Sequence, residues 1–197
     1  MFSGLGLGSA ALLGWGFNSF NILGRENYYL QGNFAPVKEI ITEDRLEVVG
    51  NIPKDLSGLY LRNGPNPMSK PNIKKYHWFG GEGMLHGVRL DGGKAVWYRN
   101  RQVGGNNANT HVISHAKKIY AIVEAGGSPV EIDQELNSLT EEPFYGTLKT
   151  GFTAHTKLDP ESKELHGITY NFPRGTYEAH HVVVGKDGRI NRADLLP

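Results

Sequence analysis

Residues 83–103, GMLHGVRLDGGKAVWYRNRQV, hold two runs rich in β-formers joined by Asp91-Gly92-Gly93. Glycine enters positive φ without steric cost, so this join closes two antiparallel strands, expected over Met84–Leu90 and Ala95–Val103, through a tight turn. The scheme recurs along the chain. Leu59–Arg62 reads as a strand stopped by Asn-Gly-Pro-Asn-Pro. Residues 110–127 give a second pair turning at Ala116–Lys118, with Ile119–Val123 as an apolar strand. Val130–Ile132 is a further strand, followed by a polar loop. Residues 151–172 read as strand, turn at Asp159–Lys163 and return strand, and residues 177–197 repeat this with a turn at Gly185–Gly188. No stretch sustains apolar residues at i, i+3 and i+4, so the expectation is an all-β chain with no more than a short helix anywhere in 55–197. Periodicity leaves a sandwich, a barrel and propeller blades open. The lack of a strong internal repeat argues against WD40 or kelch blades.

The length of 197 residues predicts one domain. A net charge of +1 is too small for the electrostatic footprint of a nucleic-acid binder. With no cysteine, disulfides and thiolate metal sites are excluded, so any metal must be held by His, Asp or Glu, which favours iron, manganese or zinc. The first 24 residues carry no charge, and Arg25 is the first cation. A secretory signal would open on basic residues. Gly4, Gly6, Gly8, Gly14 and Gly16 weaken a spanning helix. The remaining readings are a flexible apolar leader or an anchor lying in a membrane interface. The expected location is therefore cytoplasmic or peripheral to a membrane. Residues 26–32, ENYYLQG, look like a degraded protease-tag site but continue naturally into the domain. The organisation expected is a leader and extension over 1–32 and a folded domain over 33–197.

Histidines carry the candidate chemistry. His155, in GFTAHTKLDP, sits among small and apolar neighbours just before a turn. Taken alone, such an imidazole is an ordinary packed or wet side chain. His111 and His115 share a strand face and could mimic a metal pair. His180 and His181 are adjacent, point to opposite faces and cannot easily chelate one ion. His86, in GMLHG, is expected to pack or hydrogen-bond within its own hairpin. His77 and His166 have no supporting context.

At LSGLYLRNGPNPM, HWFGGEGMLHGVRL and GFTAHTKLDP the chain resembles the carotenoid cleavage oxygenase family. The likeness runs from about Asn33 to Pro197, with three motifs in order. It implies a seven-bladed β-propeller of antiparallel strands, of which this chain would form the first two to three blades. It implies iron(II) on the propeller axis, held by four histidines from different blades. His155 stands at the position of the first of these ligands. A ligand imidazole must be neutral, and its second nitrogen needs a partner that fixes tautomer and orientation. In the family, glutamates serve that purpose, the first of them at a strand end upstream of the first ligand. Glu124, in AIVEAGG, lies 31 positions before His155 and matches it. The family commonly has proline after the ligand; here Thr156 follows, which should loosen the segment without touching the metal.

Family members are considerably longer, and their other three ligands fall beyond the equivalent of Pro197. The expectation is thus an N-terminal part of a dioxygenase that splits a conjugated double bond of a carotenoid, apocarotenoid or stilbene. Its implied partners are an apolar polyene or stilbene, dioxygen and a peripheral membrane contact, with no nucleic acid. The alternative is a non-catalytic propeller remnant acting as an interaction module, because a single imidazole cannot hold catalytic iron.

Overall fold

The computed structural model describes residues 27–104, 107–140, 142–170 and 178–197. The apolar-leader reading of residues 1–24 lies outside them. Twelve strands are present among the described residues: β1 (Thr42–Glu43), β2 (Gly58–Asn66), β3 (Glu82–Asp91), β4 (Lys94–Gln102), β5 (His111–His115), β6 (Lys118–Ile122), β7 (Val130–Ile132), β8 (Ser138–Thr140), β9 (Lys157–Leu158), β10 (Leu165–Tyr170), β11 (Ala179–Val184) and β12 (Ile190–Leu195). They form three four-stranded sheets, ordered β1-β4-β3-β2, β5-β6-β7-β8 and β12-β11-β10-β9. Every pairing among them is antiparallel. Among the described residues of 55–197, helical structure is limited to 3-10 turns at Trp78–Gly80 and Pro143–Gly146. No helix among the described residues is long and apolar enough to cross a membrane.

The expected turns are where the sequence places them. Gly92 and Gly93 take φ of 53° and 83° between β3 and β4. The β5–β6 turn is made by Ala116 and Lys117 at φ of 49° and 65°, a mirror-image turn without glycine. Three stretches differ from expectation. Strand β2 runs through Asn-Gly-Pro to Asn66, with Pro65 opposite Gly83. Proline is tolerated there because β2 closes its sheet and has a partner on one side only. The polar loop after β7 contains β8. Asp133 Oδ1 accepts the amides of Glu135 and Asn137, each at 2.8 Å, and turns the chain back, while Leu136 in the same turn is fully buried. Residues 151–156 are not a strand: only Lys157–Leu158 pairs, with β10.

The inner strands of the second sheet, β6 and β7, are buried on both faces. Ile119 and Ala121 join Leu85, Trp97, Val103 and Leu136 against the first sheet. The alternating Tyr120 and Ile122 join Phe144, Phe152, Leu165, Val182 and Val184 against the third. This is why β6 reads as a continuous apolar run. Residues ahead of β2 are tied down by buried amides: Asn66 exchanges hydrogen bonds with the main chain of Val37, and Asn100 bonds to Ile41 and Glu39.

Candidate metal-ligand loop

Past β6 the chain turns sharply at Glu124–Gly127, with Ala125 and Gly126 at φ of 61° and 79°. Gly151 packs backbone to backbone on this turn; a Cβ there would collide with Gly126. The amide of Phe152 donates to Gly127 O at 3.2 Å. Residues 152–155 then follow the turn as irregular chain, and their main-chain groups find partners outside any ladder. Phe152 O accepts from Thr169 Oγ1 at 3.2 Å, and Ala154 N donates to Glu124 Oε1 at 2.9 Å. Ala154 O lies 3.2 Å from His111 Nδ1, and since a carbonyl only accepts, that ring nitrogen carries the proton. His155 N donates to Thr153 Oγ1 at 3.3 Å, and Thr153 Oγ1 donates in turn to Glu124 Oε1 at 3.3 Å. A carboxylate thus takes the place of a neighbouring strand, which is why the expected strand is absent.

The two residues singled out by the sequence are brought together here. His155 Nε2 lies 3.3 Å from Glu124 Oε1. The imidazole is 78% exposed and the carboxylate 26%. Glu124 Oε2 accepts from Tyr170 Oη at 3.2 Å. Burial first, then the Glu124 charge and the hydrogen bond to it, push the Tyr170 phenol above its ordinary range, so it stays a donor. Glu124 also walls a cleft of about 990 Å³ shared with Phe79, Asn109, Val123, Pro143 and Leu148. Buried Asn109 positions the Phe79 segment by donating to Phe79 O and Gly81 O at 3.0 and 2.5 Å.

Most of the remaining histidines have structural partners. His86 Nδ1 is 2.8 Å from Tyr98 Oη within the first sheet, as expected of it. His111 and His115 bond separate carbonyls, Ala154 O at 3.2 Å and Gly185 O at 2.7 Å, and His115 is buried. His166 and His181 stack at 5.4 Å between ring centroids. His77 caps the 3-10 turn at Trp78–Gly80. Sequence reasoning missed the support given by Thr153, His111 and Tyr170. A Thr two residues before His155 was a readable local signal, but His111 and Tyr170 join only through long-range packing.

A model of the retinal pigment epithelial membrane protein family matches residues 34–105 and 102–195. This chain belongs to the carotenoid cleavage oxygenase family. Among its curated relatives, a Mycobacterium tuberculosis carotenoid cleavage oxygenase is 41% identical over 192 residues, covering 85% of this chain and 38% of that one. A Phaseolus vulgaris carotenoid 9,10(9',10')-cleavage dioxygenase is 31% identical over 217 residues, with coverage of 84% and 39%. The chain therefore spans about two fifths of the length of these relatives. Of solved structures, a Pseudomonas brassicacearum lignostilbene dioxygenase superposes with a TM-score of 0.76 at 23% identity, covering 86% of this chain and 43% of that one. A Synechocystis apocarotenoid oxygenase variant gives 0.67 at 18% identity, covering 82% and 43%. These likenesses establish the family's all-β antiparallel architecture for this chain.

The family implies iron. Among the described residues no group of three or more His, Asp or Glu side chains could hold an ion. The residues present fit one corner of such a site: an exposed imidazole on a hydrogen-bonded loop, with one ring nitrogen facing a carboxylate.

Proposed function

We propose that the whole protein is a non-haem iron(II) dioxygenase that cleaves a conjugated carbon–carbon double bond of a carotenoid, apocarotenoid or stilbene into two carbonyl products. The three sheets are read as the first blades of a seven-bladed propeller, with the iron on its axis. Family membership over most of the chain carries this reading. Bound iron would supply the redox chemistry that adds dioxygen across the double bond. His155 would hold it through one ring nitrogen. Glu124 would orient that ring and raise its basicity as a ligand, as carboxylates do for metal-bound imidazoles. The uncharged first 24 residues support peripheral membrane contact as the route by which such a substrate arrives.

The test is product analysis of the full-length, iron-loaded protein given an apocarotenoid and a hydroxystilbene under 18O2. Two aldehyde or ketone products carrying label from dioxygen are expected from at least one of them. Neither substrate being cleaved by protein with stoichiometric iron would reject the reading.

A further inference from the structure

Residues 151–156 belong to no strand ladder, so the main chain just ahead of His155 is placed by side chains from elsewhere. Ala154, 0% exposed, is gripped at both of its polar groups. Its amide donates to Glu124 Oε1 at 2.9 Å, and its carbonyl accepts from His111 Nδ1 at 3.2 Å. His111 is itself firmly seated. It opens β5 opposite Ile122 of β6, and its own carbonyl accepts from Asn63 Nδ2 of β2 at 3.0 Å. The peptide joining Ala154 to His155 is planar, so a fixed carbonyl also fixes the direction of the His155 nitrogen and Cα. The His155 amide bonds Thr153 Oγ1, which lies two residues back in the same loop and moves with it. His111 instead ties that peptide to the first and second sheets.

We propose that His111 is a positioning residue for the metal site: its ring N–H holds the Ala154 carbonyl and so sets where the His155 side chain leaves the main chain. This rests on His155 being an iron ligand. Without the donor a buried carbonyl is left unpaired, and the peptide turns toward another partner, carrying His155 with it. The reach of the donor is what matters. An asparagine amide nitrogen is bonded to Cγ, as Nδ1 is, and can make the same bond. A glutamine amide stands one carbon further out, and leucine has no donor. The His111 ring is exposed, so replacing it disturbs no core.

The experiment is an anaerobic iron(II) titration of the full-length protein as wild type, His111→Asn, His111→Leu, His111→Gln and His155→Ala. Each apo form is also unfolded by heat, and each is loaded with cobalt(II), whose visible bands report the geometry of its ligands. His111→Leu should lower iron affinity about tenfold, the lower end of the range for groups that support a metal ligand, and shift the cobalt bands. His111→Asn should stay within about twofold of wild type, the size of a neutral substitution, with its bands unmoved. His111→Gln should fall with His111→Leu, and it replaces that variant if the leucine protein does not fold. A histidine that serves only the fold would lower the apo melting temperature and leave the cobalt bands of the folded protein alone. Affinity of His111→Leu within about twofold of wild type, unmoved cobalt bands, or an equal loss in His111→Asn would overturn the proposal. His155→Ala separates the two claims. If it keeps its iron, the ligand reading falls. If it loses iron while His111→Leu does not, only the role of His111 falls.

Discussion

At the scale of single residues, Glu124 has two tasks that substitution can separate. It accepts the Ala154 amide, which shapes the loop, and it faces His155 with a negative charge. Glu124→Gln keeps an oxygen for the amide but loses the charge, so the loop should survive while iron affinity falls roughly 10–100-fold. Iron titration beside thermal unfolding reads the two effects apart, and unchanged affinity would show the acid to be merely structural. His86 carries a second prediction. Burial first, and then the Arg62 charge, hold its imidazole below the ordinary value of 6.5. Between the folded value and 6.5 the unfolded chain binds more protons, so stability rises with pH across that window. The contribution is complete above 6.5 and lost as pH falls through the folded value. Urea unfolding at about pH 5 and about pH 7.5 should show a smaller pH difference for His86→Gln than for wild type; an equal difference would place the titrating group elsewhere.

At the scale of elements, the loop at 151–156 depends on two main chains touching. Gly151→Ala would push a methyl group into the Gly126 backbone, which cannot yield as a flexible side chain can. The expected cost is about 1–3 kcal/mol in urea unfolding, typical of overpacking, with a fall in iron affinity because the His155 segment is displaced. A neutral effect on both would mean that this contact is not what seats the loop. The hairpins were legible because their turns are local: Asp91-Gly92-Gly93 announces positive φ, and the structure has it there. The 151–156 segment reads as a strand in the sequence because its hydrogen-bond partners, Glu124, Gly127 and Thr169, are distant along the chain and leave no periodic trace. Strand β8 escapes for the opposite reason. Its polar approach, Asp133 to Asn137, looks like a loop, and only buried Leu136 shows that the turn is anchored.

At the scale of the whole molecule, the stacking of three sheets decides where the site forms. The second sheet carries Glu124 just past β6, and the third begins with the His155 segment just before β9. Their shared core of Tyr120, Phe144, Phe152 and Val182 brings the two together, with Phe144 packed 4.6 Å from Tyr120 and 4.8 Å from Phe152 between ring centroids. That the two residues are partners was legible only through the family motifs, since a separation of 31 positions gives no local cue. The role proposed for His155 is to hold one coordination position of the iron. Its most direct measurement is the iron content of the full-length protein purified with His155→Ala. The substituted protein should fold and lose most of its iron, since even changes to a ligand's hydrogen-bond partner cost about 10–100-fold in affinity. Near-stoichiometric iron in a folded His155→Ala protein would show that His155 is not an iron ligand.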